Sequence, residues 1–144
     1  MINEDTTRLL RECYAGIKMG VSSLNEVVDH VKNKDLKNKL VVCKEEHEKL
    51  GNETRKILNE YDFSGKEPNS LAKSMSWLKT NVQLAMHESD NTIADLITDG
   101  GNMGVKSLNK FLNQYGSAEE KVKDITKRLI NLEEKLAIDI RAYL

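Results

Sequence analysis

The sequence predicts an all-α bundle, and three observations carry that reading. Apolar residues recur at steps of three and four along nearly the whole chain, which is the period of an α-helix. The composition is a helix former's: one proline and two phenylalanines in 144 residues, with Leu, Lys, Glu, Asn and Ile abundant. Only one stretch, Asp62-Phe-Ser-Gly-Lys-Glu-Pro-Asn69, reads clearly as a loop, with Gly65 and Pro68 as its breakers. A chain of this length is one domain, 1–144, large enough to bury roughly two-thirds of the surface its unfolded form exposes.

The first helix is expected over about residues 5–32, with a stripe of Leu10, Cys13, Ile17, Gly20, Leu24, Val27 and Val31. A tight connection follows at Asn33-Lys34, and Asp35 is placed as the N-cap of the second helix. That helix, about 35–61, carries Leu36, Leu40, Cys43, His47, Leu50, Thr54, Ile57 and Tyr61, a heptad seam. So short a connection makes the two helices antiparallel. Counting out from the turn puts Cys43 level with Leu24 and Cys13 level with Thr54. The cysteines are then ~15 Å apart along the bundle and cannot be joined.

Ser70 is the expected cap of a third helix, about 70–86, with the stripe Leu71, Met75, Leu78, Val82 and Ala85/Met86. Beyond it the pattern Ile93, Ile97, Gly100, Met103/Gly104, Leu108, Phe111, Tyr115 continues at helical steps. Three glycines inside a helix cost roughly 3 kcal/mol, so one alternative turns the chain at Gly100-Gly101-Asn102. The other keeps the helix whole, with Gly100 and Gly104 admitting a neighbouring backbone, and it is preferred because both lie on the apolar stripe. A boundary then falls near His87–Asn91. Gly116 ends this helix, and Ser117-Ala-Glu-Glu120 reads as a capping box for the last one. The last seam is Val122, Ile125, Leu129, Leu132, Leu136, Ile140 and Tyr143. The middle helix, ~25 Å long, is long enough to return the chain from one end of the bundle to the other.

Charged residues make up 31% of the chain and balance to −1, so nucleic acid is not expected as a partner. No apolar run approaches the ~18 residues a bilayer requires, so no membrane association is expected. Residues 1–12 mix charges where a signal peptide needs hydrocarbon, which points to the cytoplasm. Cys13 and Cys43 form no metal-type C-x-x-C and read as small core residues.

The order of segments resembles the ferritin-like superfamily, and within it a group of small bacterial four-helix proteins of unknown function. The resemblance rests on Val31-Lys-Asn-Lys-Asp-Leu-Lys37 at the first turn, Trp77-Leu-Lys79 in the linking helix, and Asp90-x-x-Ile93 opening the next. It implies an antiparallel four-helix bundle with an extra helix in the crossover. Metal-binding members of that superfamily use a Glu from each of two helices and Glu-x-x-His from the other two. Here the residues three before His30, His47 and His87 are Val27, Lys44 and Leu84, and no histidine follows His87. No catalytic, cofactor or metal residue is therefore assigned, and an interaction or structural role is expected.

His47 is the exception worth weighing, since it interrupts an apolar seam. The simpler reading makes it a buried neutral histidine, hydrogen-bonded across the bundle opposite Gly20. The alternative makes it a ligand for iron or manganese, with Glu46 and Glu53 beside it and Glu12 or Glu133 from other helices. A third reading compares His47-Glu-Lys-Leu-Gly51 with histidine phosphotransfer bundles. That chemistry needs an exposed imidazole with a cation one turn on, whereas Leu50 occupies that position here. Glu45-Glu46, Glu119-Glu120 and Glu133-Glu134 read as solvated faces, and Met75, Met86 and Met103 as core filler. Trp77, Val42, Val105, Ile130 and Ile138 lie off their stripes and leave a contact patch open, with which a homodimer is compatible.

Overall fold

A computed structural model describes residues 3–61, 68–85 and 89–144, with side chains in the segment 69–85 described at 73 and 76–84. Among these residues the long elements are α1 (Glu4–Val28), α2 (Lys34–Glu60), α3 (Asn69–Ala85), α4 (Asp90–Gln114) and α5 (Glu120–Ile140), closed by a 3-10 turn at Arg141–Tyr143. None of the helices is long and apolar enough to cross a membrane. The loop expected over 62–69 falls largely outside the described residues, as do Met86 and His87 and the side chains of Leu71 and Met75.

The helix starts show where local chemistry decides and where packing overrides it. Asn3 caps α1, its side chain accepting from Thr6 N–H at 2.8 Å. α2 is capped by Asn33 rather than Asp35, with Asn33 Oδ1 accepting from Leu36 N–H at 3.0 Å. The helix therefore starts at Lys34, and Asp35 is left in its first turn, where a negative charge still suits the macrodipole. α1 stops at Val28, short of the expected 32, although Val31 remains buried in the turn. α3 begins at Asn69, which puts Ser70 inside the first turn, a shift of the size helix ends commonly show.

The capping box at Ser117 does not form. α5 starts at Glu120 behind Glu119, and no side chain caps it. Tertiary bonds occupy the turn instead. Ser117 N–H donates to Asp5 Oδ2 at 3.0 Å, Asn3 Nδ2–H donates to Ser117 C=O at 2.8 Å, and Glu119 N–H donates to Thr6 Oγ1 at 2.9 Å. Satisfied from α1, the backbone of 117–119 has no need of its own cap.

These bonds also fix the topology. The α4–α5 turn lies at the start of α1, where Tyr61 from the end of α2 donates to Glu119 at 2.6 Å. At the opposite end the Asp90 carboxylate accepts from the backbone N–H groups of Lys32 and Asn33 at 2.9 and 2.8 Å. α1 and α2 are thus antiparallel, as are α4 and α5, and α3 carries the chain between the two ends. Around the bundle α1 packs on α2, α4 and α5, α5 also packs on α2 and α4, and α3 packs across α1 and α4.

Hydrocarbon fills the interior in three clusters. One, at the Asp90 end, includes Leu24, Leu36, Leu40, Ile93, Leu136 and Ile140, joined by Leu78 and Val82 of α3. A second includes Cys13, Ile17, Leu50, Leu108, Ile125 and Leu129. The third, at the other end, is Leu9, Leu10, Ala118 and Val122. Ile130, expected outside, is buried, because α5 is flanked by both α2 and α4 and needs a broader apolar face than one seam. Trp77 is half-buried against the core, while Val42 and Ile138 are exposed. Cys13 and Cys43 are free, buried and in different clusters.

α4 runs unbroken through Gly100, Gly101 and Gly104, as preferred. A Cβ at Gly100 would lie 3.6 Å from the Trp77 ring, and one at Gly101 would lie 3.3 Å from Glu133 Oε2. The buried glycine is Gly101, one residue from the expected stripe position. Ala94, Ile97, Gly101 and Leu108 form the inward set, a spacing equally open to the eye in the sequence.

Candidate functional site

His47 is the largest polar side chain in the fully buried set. It stands between two hydrocarbon clusters: Cys43, one turn before it, belongs to the first, and Leu50, one turn after, to the second. Its Nδ1 lies 2.8 Å from the Cys43 carbonyl oxygen and 3.4 Å from Cys43 Sγ. A carbonyl only accepts, so Nδ1 carries a hydrogen and donates it. Its Nε2 lies 2.9 Å from Glu133 Oε1 on α5.

That second contact fixes the proton count. With Nδ1 protonated, a neutral imidazole would present a bare lone pair to a carboxylate oxygen, and two acceptors at 2.9 Å repel. One further proton must therefore sit between Nε2 and Oε1. Burial pushes the imidazole down, but hydrogen bonds to Cys43 and Glu133 and the Glu133 charge outweigh it, raising the ring to about 10. The pair is an imidazolium donating from both nitrogens, one of them to a carboxylate.

Room for this pair comes from α1 and α4. A Cβ on Gly20 would stand 2.7 Å from His47 Cδ2 and 2.9 Å from Nε2, so no other residue fits there without moving the ring. The Glu133 carboxylate lies against Gly101, and a Cβ on Gly104 would meet nothing closer than Glu133 Cδ at 4.0 Å. Beside the pair a cavity of about 150 Å³ opens between α1, α3 and α4, with His47 and Glu133 on its wall and Trp77, Met19, Met103 and Phe111 among its other sides.

The structure brings together some of the residues weighed from sequence and separates others. His47, Gly20 and Glu133 converge. Glu12 lines the cavity. Glu53 is drawn away, accepting from Arg128 at 2.6 Å on the surface. Glu46 lines a separate groove between α2 and α5. Among the described residues no group of three or more His, Cys, Asp or Glu is arranged to hold a metal ion. Cys13 offers no nucleophile either, since burial pushes its thiol up to about 12. His47, with no exposed surface, is closed to a phosphoryl donor.

Glu133 is only partly legible in the sequence. Between Leu129 and Leu136 the inward position belongs to 132 or 133, and hydropathy favours Leu132. In the structure Leu132 is half-buried and Glu133 turns to the histidine. The signal was an unpartnered seam histidine, which calls for a carboxylate at its own level.

The chain matches no protein-family model, no curated protein and no solved structure.

Proposed function

We propose that this chain is a ferritin-like bundle without a dimetal centre, serving as a non-catalytic interaction or structural protein in the cytoplasm. The observation that carries the proposal is that both nitrogens of His47 are committed as donors, to the Cys43 carbonyl and to Glu133. A metal ligand needs a free imidazole lone pair, and here a proton occupies it. The ferritin-like part rests on connectivity: two antiparallel helix pairs joined by one long crossover that contains a helix. Two of the sequence segments behind the resemblance also meet, through the Asp90 bonds to Lys32 and Asn33. The exposed Val42, Leu84, Met103 and Ile138 are the apolar side chains such contacts would use, a second copy of the chain included.

Elemental analysis of protein purified from iron- and manganese-supplemented medium tests the proposal. Less than a tenth of an equivalent of bound metal is expected, and stoichiometric metal overturns it. If metal is found, His47→Ala decides the rival reading: uptake abolished by that change places the ion at His47.

A further inference from the structure

The cavity beside the buried pair has features that the structural role does not use. Its volume, about 150 Å³, is that of an engineered protein cavity that takes up benzene. Its walls are mostly hydrocarbon and aromatic, from Met19, Leu96, Met103, Phe111 and Trp77. A purely apolar hollow of this size would be a packing defect, but this one has two carboxylates in its wall, Glu12 and Glu133. Glu133 commits Oε1 to His47, and among the described residues Oε2 has no hydrogen-bond partner. The carboxylate lies against the glycine face of α4, where Gly101 and Gly104 also line the cavity.

We infer that this cavity is a binding site for a single-ring alcohol or phenol, the ring lying among the apolar walls and the hydroxyl donating to Glu133 Oε2. Each part of that ligand answers a feature of the site. The volume is enough for one ring. An acceptor with no donor of its own selects a neutral ligand with one hydrogen to give. A carboxylate-bearing ring would set two anions side by side in a wall of low polarity and is rejected. The inference does not depend on the ferritin-like reading, because it uses only the hollow and the pair.

Phenol, benzene and benzoate are the probes, titrated into the full chain by calorimetry. Trp77, the chain's one tryptophan, lines the cavity and gives a single indole N–H signal by NMR. Phenol is expected to bind one to one, to shift that signal saturably, and to bind about ten-fold or more tighter than benzene, the worth of one hydrogen bond to a charged acceptor. Benzoate is expected not to bind. Gly104 lines the cavity and a Cβ there meets nothing nearer than Glu133 Cδ at 4.0 Å, so Gly104→Leu places its side chain in the cavity, and a folded variant that no longer binds phenol is the expected result. The inference is overturned by an unmoved Trp77 signal at saturating phenol, by benzene or benzoate binding as well as phenol, or by undiminished binding in folded Gly104→Leu. The Trp77 readout needs no variant, so loss of folding in Gly104→Leu leaves the inference testable.

Discussion

Two glycines reach the same buried pair from two different helices, and they do different things. On α1, Gly20 is pressed against His47, with 2.7 Å between the ring and the place of an absent Cβ. On α4, Gly104 has nothing nearer than 4.0 Å, and the space in front of it is part of the cavity. Both cost about 1 kcal/mol of helix propensity. At Gly20 that cost allows a close approach; at Gly104 it leaves a hollow. A glycine on an apolar stripe therefore does not by itself say whether a neighbour has come close or a space has been left. The atoms opposite decide.

The largest effect should come from the group that lies between the two glycines. Glu133→Leu leaves the imidazole buried without its partner, and a loss of about 3–5 kcal/mol is expected in chemical denaturation. A loss under about 1 kcal/mol would mean that the pair contributes little to the fold. His47→Leu is the companion change. Its effect should fall short of additive with Glu133→Leu, because removing both partners leaves no orphan charge.

Next comes pH. The folded-state value for His47, about 10, lies above its ordinary 6.5. Its contribution to stability is then complete below about pH 6.5 and drains away as pH rises through 10. Unfolding free energies from urea titrations between pH 6 and 10.5 should fall in the original chain by roughly 4 kcal/mol more than in His47→Leu. Equal falls in the two proteins would show that other groups cause the loss.

The glycine comparison then sharpens in the smaller effects. Gly20→Ala is expected to lose about 1–2 kcal/mol, since His47 is held on both nitrogens and cannot yield to the methyl group. Gly104→Ala should gain up to about 1 kcal/mol, because it recovers propensity and its methyl group meets nothing nearer than Glu133 Cδ at 4.0 Å. Thermal unfolding of the two variants side by side reads the difference directly. Shifts of the same sign would break the distinction drawn between them.

How much of this was legible in the sequence follows from the range of each interaction. The helices, their antiparallel pairing and the unbroken α4 come from periodicity, a local property, and the residues of one chain suffice to read it. The opposition of His47 and Gly20 was also legible, since a short turn fixes register by counting. Glu133 was legible only as one of several candidate carboxylates, because α5 follows a crossover whose length sets no register, and Leu132 offered hydropathy a better candidate for the inward position. The false capping box at Ser117 has the same origin. Its local pattern was sound, but Asp5, Asn3 and Thr6 arrive from more than a hundred residues away and take over its hydrogen bonds.

The protonation of His47 tests the central claim most directly, and ¹⁵N NMR of the ring across the pH range measures it. The structure predicts two protonated ring nitrogens from pH 5 through pH 8, with one proton released only near pH 10. A ring that titrates near its ordinary 6.5, or that shows an unprotonated Nε2 at neutral pH, would contradict the ion pair and return a free lone pair to the centre of the bundle.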